Sequence, residues 1–98
     1  MIDIHKVKQL AIPLLKQKGV VKASLFGSVV RGDTHKKSDV DFLIQVPSKY
    51  RGLDYFGFLG DIRRELEQRL NSKVDIVDYR LIKPALKKNI LADQIQIL

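Results

Sequence analysis

The sequence predicts an α+β fold of the α/β type, a small mixed β-sheet with helices packed on one face. Three observations predict it. Short runs of alternating apolar residues recur along the chain, longer segments with apolar residues at helical spacing lie between them, and strands separated by helices must meet in a sheet that those helices cover. With 98 residues, 45% of them hydrophobic and 30% charged, the chain has material for one domain around one core. The domain divides into an N-terminal helical segment over 1–19 and a core over 20–98.

Ile4, Val7, Leu10, Ala11 and Leu14 recur on one helical face, and Gly19 is a natural stop, so a helix is expected over 3–18. Pro13 inside it is expected to kink or weaken it. Val21, Ala23 and Leu25 alternate with Lys22, Ser24 and Phe26, a strand ending at Gly27-Ser28. A short helix over 28–32 and the polar loop DTHKKS follow. Asp39 to Val46 reads as a second strand, closed by Pro47. Phe56, Leu59, Ile62, Leu66 and Leu70 mark a long second helix, with Glu65 and Arg69 paired one turn apart. Lys73 to Asp78 reads as a third, central strand. Lys83-Pro84 opens a last helix with Leu86, Ile90 and Leu91 on its inner face, proline being tolerated in a first turn. Ile95 and Ile97 alternate in a short final strand.

Composition excludes several classes of function. The chain has no cysteine, hence no disulfide framework, thiolate nucleophile or cysteine zinc site. Met1 is soon followed by charged residues, unlike a secretory leader, and no apolar run approaches the roughly 18 residues of a membrane span. A cytoplasmic setting is the expectation, with no membrane partner. Eighteen Lys and Arg against eleven Asp and Glu give +7, a balance suited to a polyanionic ligand or an acidic protein face. The basic residues are scattered without interleaved aromatics, which speaks against nucleic acid as a direct partner.

The stretch LFGSVVRGDTHKKSDVDFLI, residues 25–44, carries the chemistry. Side chains two apart on a strand share a face, so Asp39 and Asp41 present two carboxylates together while Val40, Phe42 and Ile44 face the core. Two like charges side by side call for something positive between them, and carboxylate oxygens are the ligands Mg²⁺ prefers; such a pair can hold two ions about 4 Å apart. Gly27 lets the backbone approach a phosphate without a β-carbon in the way, and Ser28 with the N–H groups after it can hold phosphate oxygens. A third acid is available in Asp75, flanked by Val74, Ile76 and Val77, where a carboxylate is costly unless it faces a wet or metal-filled cleft. It can act as general base or share a metal. Asp78 sits near the strand end and reads as an unremarkable exposed acid. His5 and His35 read as solvated, and Lys36 and Lys37 as loop charges.

On these residues the chain resembles the minimal nucleotidyltransferase domains of the DNA polymerase β-like superfamily. The matching signature is Gly27-Ser28, ten intervening residues, Asp39-Val40-Asp41, then the third acid in Val74-Asp75-Ile76-Val77. LFGSVVRGD, the ERL-to-VDIV transition and LIKPALKKNIL extend the likeness over roughly 20–98. The resemblance implies the polymerase β-like fold and Mg²⁺-dependent transfer of a nucleotide, with ATP as substrate and two ions at the site. It makes Asp39 and Asp41 metal ligands and Asp75 the third ligand or base. Its nucleotide-binding set is Gly27, Ser28, Arg31 and Ser38. Val29 departs from the larger or basic residue that many relatives carry after Gly-Ser. Stand-alone domains of this kind resemble the antitoxin half of pairs with all-α HEPN toxins, which implies transfer of AMP to a hydroxyl, that of tyrosine, on such a partner. A homo- or hetero-oligomer fits equally. Two alternative readings are an antitoxin that acts by binding alone and a basic nucleic-acid-binding module.

Overall fold

A computed structural model of the chain describes residues 3–27 and 40–98. The expected short helix over 28–32, the DTHKKS loop, and Ser28, Arg31, Ser38 and Asp39 lie outside the described residues. The elements run α1 (Ile4–Gln17), β1 (Ala23–Phe26), β2 (Val40–Ile44), α2 (Leu53–Leu70), β3 (Val74–Asp78), a 3₁₀ turn (Tyr79–Leu81), α3 (Pro84–Asp93) and β4 (Ile95–Gln96).

Helix α1 begins at Asp3, whose carboxylate accepts the His5 N–H at 3.0 Å and so satisfies one of the free donors of the first turn. The helix continues through Pro13. Gly19, at φ +85°, turns the chain out of it, and Val20 N–H returns to the Leu15 carbonyl at 2.9 Å. Helix α2 stops at Asn71 in the left-handed conformation, φ +50°. The ion pair of Glu65 joins it to Lys18 at the end of α1, at 2.9 Å, in place of the Arg69 pairing expected within the helix.

The four strands lie in the order β3-β2-β1-β4, with β1 antiparallel to both its neighbours and β2 parallel to β3. The strand bearing Asp75 is thus at an edge of the sheet and not at its centre. Strand order is decided by long-range pairing, which the local apolar run of β3 does not encode. On one face, Ala23 and Leu25 of β1 and Val40, Phe42 and Ile44 of β2 are fully buried. They form a single core with Val7, Ala11, Leu14 and Leu15 of α1 and Phe58, Ile62 and Leu66 of α2.

Three expectations about that core are corrected. Val21 precedes β1 and is 76% exposed. Phe56 points to solvent, and Phe58 fills the place expected for it, stacked on Tyr50 with ring centroids 4.2 Å apart. At roughly 100° per residue Phe58 lies about 40° round the helix from Ile62, whereas Phe56 lies about 120° away. Helix α3 buries no residue, so the inner face expected of Leu86, Ile90 and Leu91 makes no part of the core.

Candidate active site

The site is built where β1 ends and β2 and β3 begin. Strand parity that sends Val40, Phe42 and Ile44 into the core turns Asp41 and Leu43 to the opposite face. The parallel register pairs Asp41 with Asp75, and the antiparallel register pairs Asp41 with Phe26. Side chains at paired positions of neighbouring strands point the same way, so Asp41 and Asp75 stand side by side on adjacent strands, about 4.8 Å apart at the backbone. Their environments differ. Asp41, on an inner strand, is 4% exposed, while Asp75, on the edge strand, is open to solvent. Among the described residues no third Asp, Glu or His joins them in a cluster.

Gly27 follows β1 at φ +72° and lies against Asp41. A β-carbon at Gly27 would fall on the Asp41 Oδ2 oxygen and come within 3.2 Å of its Cγ. Glycine is required twice over at this point, by the left-handed backbone and by the carboxylate occupying the space a side chain would take. The turn and the aspartate are one packed unit. Of the residues singled out from the sequence, the structure brings Gly27, Asp41 and Asp75 together.

The same face carries a polar chain. Ser24, fully buried, lies two residues before Phe26, and its Oγ is 2.5 Å from the Tyr79 hydroxyl. Tyr79 donates in turn to Gln94 Oε1 at 3.3 Å, tying the end of α3 to β1. Lys22 Nζ lies 4.8 Å from the Tyr79 ring centre.

At the opposite end of β3 the structure corrects the reading of Asp78. It is 3% exposed, paired in register with Ile44 on the core side of the sheet. Tyr55 of α2 donates its hydroxyl to Asp78 Oδ2 at 2.7 Å, and the Arg80 backbone N–H donates to Oδ1 at 2.9 Å. The Arg80 guanidinium reaches Oδ2 at 3.2 Å. Burial pushes the Asp78 carboxyl up, but the donors from Arg80 and Tyr55 outweigh it and hold its pKa below the ordinary value of 3.8. Burial and the bond to Asp78 push the Tyr55 hydroxyl up to about 12. The signal for this site was in the sequence: Asp78 shares the strand parity of Val74 and Ile76.

The family described as polymerase β, nucleotidyltransferase, matches residues 8–98. The chain belongs to the polymerase β nucleotidyltransferase family. A Methanocaldococcus jannaschii protein provisionally named a protein adenylyltransferase is 35% identical over 97 residues, covering 99% of this chain and 100% of the relative. The protein adenylyltransferase MntA of Thermococcus cleftensis is 29% identical over 82 residues, 81% of this chain and 76% of that one. Among solved structures, one provisionally described as a minimal nucleotidyltransferase superposes with a TM-score of 0.73 at 29% identity, over 94% of this chain and 90% of that chain. A toxin–antitoxin structure with AMP-PNP follows at 0.71 and 24% identity, over 93% of this chain and 72% of that one, a likeness of fold. This polymerase β nucleotidyltransferase therefore has the expected fold, and it is an enzyme of nucleotide transfer. Among its described residues no helix is long and apolar enough to cross a membrane.

Proposed function

We infer that this nucleotidyltransferase transfers AMP from ATP to a hydroxyl, that of tyrosine, on an all-α HEPN-type partner, and acts as the antitoxin of that pair. The observation that carries the reading is the register of Asp41 with Asp75 on one face beside Gly27. The names of its adenylyltransferase relatives support the donor and the reaction. So does a neighbour of the same fold in which an AMPylated Shewanella oneidensis HEPN toxin is bound to its MNT antitoxin.

The donor set suits Mg²⁺: hard carboxylate oxygens on adjacent strands, with a glycine making room for the Asp41 carboxylate. Asp39, Asp41 and Asp75 would hold it. When bound, two such ions would offset the negative charge of the triphosphate and of the phosphorus centre during transfer. Gly27 and Ser28 receive the phosphates, with Arg31 and Ser38 completing the nucleotide contacts. The acceptor hydroxyl oxygen bonds to the α-phosphorus, the bond from that phosphorus to the bridging oxygen of the β-phosphate breaks, and pyrophosphate leaves. The hydroxyl proton passes to the Asp75 carboxylate. An exposed base at the sheet edge suits an acceptor carried on a protein, which cannot enter a closed pocket.

Intact-mass spectrometry of the chain mixed with ATP, Mg²⁺ and a candidate all-α HEPN-type partner tests the reading. The expected result is a Mg²⁺-dependent gain of one or more AMP units on the partner, absent with the Asp39→Asn/Asp41→Asn double variant. A partner neutralised without added mass, by wild type and double variant alike, makes the antitoxin a binder and removes the enzymatic antitoxin reading.

A further inference from the structure

Helix α3 is not explained by the rest of the fold. Its ten residues fall short of the roughly 12–15 an isolated helix needs to be even marginal in water. None of its residues is fully buried: Ile90 and Leu91 are half-buried, and Leu86 and the preceding Leu81 are 51% and 67% exposed. Its N-cap, Lys83, makes no side-chain cap, and its first turn carries no acid and its last no base. Lys83 stands at the N-cap, where the helix dipole is already positive, with Lys87 and Lys88 about one turn further on. Among the described residues none of these three lysines makes an ion pair.

What fixes α3 is a pair of anchors at its ends. Tyr79 meets Ser24 before the helix and Gln94 after it, and β4 then pairs with β1. Both anchors lie on the face of the sheet that carries Asp41 and Asp75. A body resting along α3 therefore lies on the same side of the sheet as the candidate site.

We propose that α3 and Leu81 form the docking element for the acceptor, and that the occupant is an acidic protein face bearing apolar side chains. Leu81 and Leu86 require apolar cover, while Lys83, Lys87, Lys88 and the helix N-terminus require anions. Nucleic acid satisfies the lysines but leaves both leucines in water, and α3 has no aromatic side chain on which a base could stack. Covering α3 supplies the packing the helix lacks, so docking and helix stability are coupled. Calling the occupant the acceptor rests on the AMP-transfer reading; the docking surface itself does not.

Hydrogen exchange of the full chain, followed by mass spectrometry, tests this with three probes. These are a synthetic amphipathic peptide with a leucine stripe flanked by glutamates, the same peptide with lysines for glutamates, and a single-stranded oligonucleotide. In the free chain, amides of 84–93 should exchange much faster than those of α1 and α2. The acidic peptide should slow them by at least about tenfold, a 1.4 kcal/mol effect, and the lysine peptide should not. The Lys83→Glu/Lys87→Glu/Lys88→Glu variant should reverse that preference. Should α1 exchange reveal that this variant is unfolded, Leu86→Ala, at an exposed position, should weaken the acidic peptide's protection instead. Amides of α3 as slow as those of α1 in the free chain, no protection by the acidic peptide, or protection by the oligonucleotide alone each overturn the proposal. Calorimetry with Mg-ATP on the same samples separates the two readings. Wild type that gains α3 protection but binds no Mg-ATP keeps the docking surface and loses AMP transfer. Mg-ATP binding with no α3 protection does the reverse.

Discussion

Asp75 and Asp78 stand three residues apart on β3, yet one is open to solvent beside Asp41 and the other is enclosed by Tyr55 and Arg80. Parity separates them. Asp75 shares the face of Asp41, whereas Asp78 shares the face of Val74 and Ile76 and meets the helix layer. Position along the strand separates them again, since Asp75 lies at the end where Gly27 packs against Asp41, and Asp78 at the end closed by α2 and the 3₁₀ turn. A solvent-exposed carboxylate is kept beside the candidate site, and a buried, hydrogen-bonded one is kept where chain segments must be joined. Chemistry and architecture thus use the same residue type in opposite ways.

The largest expected effect breaks the first half of that comparison. Asp75→Asn should lower AMP transfer by on the order of 10² to 10⁴ while leaving thermal stability close to wild type. If the carboxylate serves chiefly as base, Mg-ATP affinity measured by calorimetry stays; if it also holds metal, affinity falls with the rate. Full transfer activity in the variant would reduce Asp75 to a surface acid. The Asp39→Asn/Asp41→Asn variant should lose Mg²⁺-dependent ATP binding outright and keep its fold, because two neighbouring like charges are removed. Unchanged Mg-ATP affinity there contradicts the metal assignment.

Substitution at Gly27 should strike both stability and function. Gly27→Ala forces a β-carbon onto the Asp41 carboxylate from a left-handed backbone, a strain of about 1–3 kcal/mol. The carboxylate must move to relieve it. Denaturant unfolding should report the loss, and Mg-ATP affinity should fall with it; a variant as stable and as active as wild type would mean that the turn rearranges freely.

Much of this was legible in the sequence because it is local. The alternation of Val40, Phe42 and Ile44 with Asp41 fixes a face without knowledge of the neighbours, and the helix periods around Val7 and Ile62 fix two core stripes. What escaped is non-local or was misjudged from hydrophobicity alone. The edge position of β3 depends on strand pairing across the chain. Phe56 was expected inside from its spacing to Leu59 and Ile62, although helical phase favours Phe58. Leu86, Ile90 and Leu91 have the spacing of an inner face, but Ile90 and Leu91 are only half-buried and Leu86 is exposed. Asp78 was misjudged although its parity with Ile76 was available. Of the site, Gly27, Asp41 and Asp75 are found together, and their catalytic roles stand as the experiments above define them.

The second half of the comparison is sharpened by Asp78→Asn. Loss of the charge weakens the bonds from Tyr55 and Arg80 at a buried position, which should cost about 1–3 kcal/mol. Activity at temperatures well below melting should be unaffected, since Asp78 lies at the other end of the sheet from Gly27. A selective loss of turnover with normal stability would reverse the roles assigned to the two ends.

The smallest effect is the most specific, because Tyr55 and Asp78 titrate in opposite ranges. Asp78 has a lowered pKa in the fold, so its contribution is present above pH 3.8 and is lost as acid protonates it below that value. Tyr55 is raised from 10.0 to about 12, so its contribution is complete below pH 10 and is lost as pH rises towards 12. Tyr55→Phe removes the hydroxyl donor and should cost about 1 kcal/mol at neutral pH. Its deficit against wild type should shrink between pH 10 and 12, where wild type loses the Tyr55 contribution, and again below pH 3.8, where protonated Asp78 no longer gains from the donor. Thermal melts of the two proteins across pH give the difference directly. A deficit that stays constant from acid to alkali would mean that Tyr55 stabilises the fold through its ring alone and that the Asp78 bond contributes nothing.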